Sequence, residues 1–256
     1  MPSLYSFYDW LDRLKRYYAF SRNEQIFLLI SVPVMAFIVG FRFEGDKFAL
    51  NVFLNNFGLS LIAVAVAVFA HESAHRIFGL NMGYKTEFKP FIYGLLAGVI
   101  LAFMTYGHFI FLAYSGVLLN IMEKHRLGYF RYQLGYFDLG KVSLAGPLAN
   151  LLIAIAVKSM GFLPQPVAEK LILVNVLFAI TNVLPIPPLD GANIMYASKT
   201  AYPFVFGAVV SCGLLLLIPW LSTWITIAAA LTIGIFTALL YFKFVEGKLL
   251  NQKMIS

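Results

Sequence analysis

The stretch ALNVFLNNFGLSLIAVAVAVFAHESAH, residues 49–75, joins an uncharged run of bilayer-spanning length to two histidines and a glutamate. Residues 49–70 hold no Asp, Glu, Lys or Arg, and a membrane-spanning helix needs about 20 predominantly apolar residues. The run ends in His71-Glu72-Ser73-Ala74-His75. Ionisable groups in a membrane span are expensive to bury and point to function.

Outward from this stretch the chain keeps the same character. Of its 256 residues 61% are apolar and 12% charged, with a mean hydropathy of +0.81, whereas soluble domains carry about 25% charge. A soluble globular protein is excluded. Residues 200–242 are a charge-free run of 43, long enough for two helices divided near Pro219, and further uncharged stretches occupy 25–41, 142–157 and 171–189. The expected fold class is therefore an all-α polytopic membrane protein with about six transmembrane helices. Residues 90–122 also lack formal charge but are broken by Gly94, Gly98, Gly107 and Gly116 and are rich in aromatic and β-branched residues. A re-entrant or β-hairpin segment after the second helix is expected there, because irregular backbone at membrane depth must be covered by protein or line a cavity.

The expected organisation has four parts. Residues 1–24 form an amphipathic cytoplasmic or interfacial segment, with Leu4, Tyr8, Leu11, Leu14 and Tyr18 three or four apart and no apolar core of a cleavable signal. Residues 25–48 hold the first span and its loop, 49–195 the catalytic membrane core with its re-entrant segment at 85–122, and 196–256 two last spans and a tail. The 19 Lys and Arg exceed the 12 Asp and Glu by 7, and in a membrane protein this excess reads as topology rather than nucleic-acid binding. With six spans, Arg76, Lys85, Lys89, Lys124, Arg126, Arg131, Lys141, Lys199, Lys243, Lys248 and Lys253 share a side with the N-terminal cluster. Arg42, Lys47, Lys158 and Lys170 face the other. The expectation is a multi-pass cell-membrane protein with both termini cytoplasmic.

The only cysteine is Cys212, so a metal would have to be held by imidazole and carboxylate. On a helix, positions four apart differ by about 40° in azimuth, so His71 and His75 share a face and can reach one Zn²⁺ at about 2.1 Å. Glu72 lies about 100° round, available as a base for a metal-activated water. Chance matches to this pattern are expected on the order of 0.002 times in such a composition. A third ligand is still needed. Asp9, Asp12, Asp46 and Asp138 lie in charged, loop-like sequence, whereas Asp190 follows an uncharged stretch in Asn182-Val183-Leu184-Pro185-Ile186-Pro187-Pro188-Leu189-Asp190-Gly191. Three prolines in four residues end regular helix bonding before that carboxylate. An interfacial turn between two helices is the plain alternative for this motif, and His108 and His125 read as ordinary histidines.

These elements resemble the site-2 protease family of intramembrane zinc metalloproteases, in its compact prokaryotic form. The resemblance covers about residues 50–195: H-E-x-x-H at 71–75, G-P-x-x-N as Gly146-Pro147-Leu148-Ala149-Asn150, and the proline-rich motif at 182–191. It implies a three-helix core with His71, His75 and Asp190 as ligands of one Zn²⁺ per chain and Glu72 as general base. It further implies that Asn182 lines the site and steadies the oxyanion, that Gly146 and Asn150 sit on the helix beside it, and that a β-like hairpin occupies 85–122. Two features depart from the pattern: Ala192 and Asn193 stand where many members have a second Gly and then Arg, and no PDZ or CBS domain is visible. The expected function is hydrolysis of peptide bonds within or near transmembrane segments of membrane proteins, with such a segment and the lipid bilayer as partners. Residues 85–93 are the expected edge for pairing with an unwound substrate. A membrane transporter and a non-catalytic metal-binding membrane protein are the alternatives.

Overall fold

Uncharged sequence of sufficient length satisfies its backbone within itself, and the chain is accordingly dominated by helices. The computed structural model describes residues 4–42, 50–121 and 135–246. His125 and the basic residues Lys47, Lys124, Arg126, Arg131, Lys248 and Lys253 lie outside them. The elements run α1 (Leu4–Tyr17), α2 (Arg22–Gly40), α3 (Leu50–Asn81), β1 (Tyr84–Pro90), α4 (Ile92–Met104), β2 (Ser115–Ile121), α5 (Tyr136–Met160), α6 (Gln165–Asn182), α7 (Asp190–Ala197), α8 (Tyr202–Leu216) and α9 (Thr223–Tyr241).

Four of these helices, α2, α3, α5 and α9, are long and apolar enough to cross a membrane. The two other expected spans correspond to α6 and α8. The first has 18 residues and includes Glu169 and Lys170, and the second has only 15, about 22 Å at 1.5 Å per residue. The division of 200–242 near Pro219 is present, since α8 ends at Leu216 and α9 begins at Thr223. α3 has 32 residues, so it continues about 16 Å past Ala70 and carries the H-E-x-x-H motif within regular helix.

Two expectations change in detail. The helix placed at 171–189 starts earlier, at Gln165, and ends at Asn182, because Pro185 has no N–H to continue the ladder and disfavours helical backbone at Leu184. Asp190 is instead the first residue of α7. The described part of the expected segment at 85–122, up to Ile121, is a strand, a helix and a strand, with β1 and β2 antiparallel and Lys89 opposite Gly116.

The packing sets the site between three helices. α3 lies against both α5 and α6, and those two lie against each other. One apolar cluster joins α2, α3, α4 and α6 through Met35, Ile38, Val64, Leu95 and Phe178, and a second joins α5, α6, α8 and α9 through Leu151, Val176, Val209 and Ala230. α1 carries Arg13 and Arg16 one turn after Asp9 and Asp12 on its polar side, and the Tyr18 hydroxyl beyond its end lies 2.7 Å from Ser73 Oγ.

Candidate metal centre

One helical turn apart on α3, His71 and His75 are both buried, with ring centroids 4.6 Å apart and planes nearly perpendicular. The turn after α6 brings Asp190 between them. Asp190 Oδ2 lies 3.0 Å from His71 Nε2 and 3.2 Å from His75 Nε2, and Asp190 is 1% exposed. The three ligands proposed from sequence thus converge, with their candidate atoms all within 4.8 Å of one another.

The far side of each imidazole decides what the near side can do. His75 Nδ1 donates to the Val142 carbonyl at 2.8 Å, which can only accept. His71 Nδ1 donates to Asn150 Oδ1 at 2.7 Å, and the Asn150 amide is oriented by donating to Ala67 O at 2.9 Å and Asn175 Oδ1 at 3.0 Å. With a proton held on Nδ1, each imidazole in its neutral form turns its Nε2 lone pair toward the carboxylate. Asp190 Oδ1 and Oδ2 have no hydrogen-bond donor among the described residues. Three buried acceptors facing one another without a donor are costly unless a cation lies between them. Tetrahedral ligands at 2.0–2.1 Å from zinc stand about 3.3 Å apart, close to the spacing found here.

α5 supplies the remaining wall. A Cβ on Gly146 would lie 2.5 Å from His75 Nε2 and 2.6 Å from His71 Cε1, so glycine leaves open the side of the imidazoles that a metal ion would fill. Four residues on, Asn150 falls on the same face and braces His71. The donor set, the orphaned carboxylate and this recess fit a zinc ion.

Glu72 lies beside the trio, 3% exposed. Its Oε1 accepts hydrogen bonds from the Tyr114 hydroxyl and, at 3.1 Å, from Ser115 Oγ. Burial first, and then the Glu72 carboxylate, pushes the Tyr114 phenol well above its ordinary pKa, so the hydroxyl keeps its proton and donates. Glu72 also reaches the floor of a cavity of about 580 Å³ between α2 and α3, walled by Leu28, Val32, Leu61, Val68 and Phe69.

Asn182 ends α6, fully buried, and spends its amide donor on Phe178 O at 2.9 Å, while its Oδ1 has no partner among the described residues. It is not bonded to the histidines or Asp190. His108 is exposed in the turn after α4. Tyr114 and Ser115 are the site residues that sequence reading misses, because a tyrosine in an aromatic-rich membrane chain carries no distinguishing pattern.

The chain is 31% identical over 198 residues to a protein of Methanocaldococcus jannaschii named "Putative zinc metalloprotease", an alignment covering 75% of this chain and 91% of that protein. No family model and no solved structure matches the chain.

Proposed function

The chain belongs to the zinc metalloprotease family of its Methanocaldococcus relative, and from that premise we propose that it hydrolyses peptide bonds within or near the membrane-spanning segments of other proteins. The observation that carries this reading is the convergence of His71, His75 and Asp190 beside Glu72, all buried among apolar helices. The motifs at 71–75, 146–150 and 182–191 support the finer assignment to the site-2 protease family, with α6 and α8 completing six spans and both termini cytoplasmic.

One Zn²⁺ per chain, held by His71, His75 and Asp190, would activate a water and polarise the scissile carbonyl. Glu72 then takes the proton of the attacking water and returns it to the leaving amine, as a general base and acid. Asn150 and the Val142 carbonyl keep the imidazoles in the ligating tautomer. Asn182 is assigned to the substrate oxyanion, which requires its amide to exchange the Phe178 carbonyl for a substrate oxygen.

A helical substrate hides its carbonyls in its own hydrogen bonds and must unwind, so an extended segment needs new backbone partners. The expected edge at residues 85–93 is partly occupied. Arg76 Nη1 donates to Thr86 O at 3.1 Å and Phe88 N donates to Glu24 Oε1 at 3.2 Å, which occupies two of the outward groups of β1. The antiparallel register leaves Ser115, Val117 and Leu119 of β2 facing away from β1, and this row, beginning beside Glu72, is the one we assign to the substrate.

Purified protein and its Glu72→Gln variant, incubated with a fluorogenic peptide containing an apolar stretch of about 20 residues in detergent micelles, test the reading. Both should hold one zinc per chain and only the native protein should cut the peptide. Cleavage by the variant at the native rate would refute it.

A further inference from the structure

We propose that Tyr114 and Ser115 are positioning residues for Glu72, gripping one carboxylate oxygen so that the other is turned to the reacting water. The inference rests on the metallopeptidase reading and adds to it a role for the strand that flanks the site.

The geometry is over-determined. The Tyr114 ring is fully buried and packs against Phe27 of α2, Phe88 of β1 and Phe178 of α6, with centroid separations of 6.5, 6.3 and 5.4 Å. Its backbone carbonyl accepts from Phe91 N at 2.7 Å, and the next residue, Ser115, stands opposite Pro90 in the ladder. Ring and backbone are thus both fixed, which leaves the phenolic hydroxyl one location. A buried hydroxyl needs a partner, but any neighbouring carbonyl would satisfy it. Here it is aimed at the candidate base. The Ser115 hydroxyl donates to the same atom, Glu72 Oε1.

Two donors on Oε1 define the work of the carboxylate. They saturate one oxygen with charge-assisted bonds and hold the plane of the group, so proton transfer falls to Oε2. The next residue links this grip to the metal ligands. A Cβ on Gly116 would collide with the Pro188 carbonyl, so β2 lies directly against the turn that delivers Asp190. The start of β2 is therefore wedged between the base on one side and the ligand-bearing turn on the other. Glu72 is set relative to the metal ligands by this strand as well as by α3.

Tyr114→Phe keeps the ring and removes only the donor. With the fluorogenic apolar peptide as probe, kcat is expected to fall about 10- to 100-fold with KM within about twofold of native and zinc content unchanged. Ser115→Ala should lower kcat less, and Ser115→Thr should restore it. A second readout needs no cleavage: in cobalt-loaded protein, Tyr114→Phe should move the visible absorption bands towards those of Glu72→Gln and should change nothing further in a Glu72→Gln background. Native kcat together with native cobalt bands in Tyr114→Phe would overturn the proposal. If Glu72→Gln still cleaves, the metallopeptidase reading fails separately, while the cobalt bands still decide whether Tyr114 acts through Glu72.

Discussion

Arg76 Nη2 meets Glu24 Oε1 at 2.6 Å with both side chains buried, so the residue that follows His75 on α3 is anchored to the first turn of α2. The Glu24 carboxylate also takes Ser21 N at 2.7 Å, closing a capping box at the start of α2, and the Arg76 guanidinium stacks 4.0 Å from the Phe20 ring centre. Removing one partner of such a pair strands the other's charge, at a cost of about 3–5 kcal/mol. Arg76→Met is expected to destabilise the protein by about 3 kcal/mol in denaturant unfolding from detergent, and Arg76→Met with Glu24→Gln to cost less than the two singles summed. Strict additivity would remove the coupling.

Asn150 leads to a prediction about metal retention rather than folding. Its Oδ1 accepts the His71 proton, and an apolar residue of similar size leaves that proton without an acceptor. Asn150→Leu is expected to weaken zinc binding about 10- to 100-fold, as loss of a partner behind a ligating histidine does elsewhere. Competition with a chelator of known zinc affinity measures it. An unchanged affinity would reduce Asn150 to a helix-packing residue.

How much of this was legible from sequence varies with the range of the interaction. His71, Glu72 and His75 are readable because helical spacing is local and the three stand at the end of an uncharged run. Asp190 is readable because it follows uncharged sequence and three prolines, although counting uncharged residues carries the preceding helix to 189 when Pro185 stops it at Asn182. Glycine misleads in 90–122. Gly94 and Gly98 read as breaks but lie inside α4, where a Cβ on Gly98 would come 2.5 Å from Phe111 O and 2.8 Å from Ile38 Cδ1. They serve close packing. Tyr114 reaches Glu72 only through the pairing of β1 with β2 across α4, a contact of 42 residues' separation with no local signature.

Gly146 gives the sharpest steric prediction. A methyl group there would occupy the recess between the two imidazoles, 2.5 Å from His75 Nε2, while leaving α5 a good helix former. Gly146→Ala should therefore fold and insert as the native protein does but hold zinc well below one equivalent. Full zinc occupancy in this variant would mean that the ion sits away from the face of α5.

Asp190 ties metal binding to stability. A ligand that binds only the folded state stabilises it by RT ln(1 + [L]/Kd), about 4.1 kcal/mol at a free concentration a thousand times Kd. In the metal-free protein His71, His75 and Asp190 bring acceptors together without a donor, so zinc both adds its binding energy and relieves that opposition. Titrating zinc into chelator-stripped native protein should raise the thermal midpoint in detergent steadily with concentration. In Asp190→Ala only two imidazoles remain to hold the ion, so the rise with zinc should be largely lost. A rise in Asp190→Ala equal to native would place the ion's third ligand elsewhere in the chain.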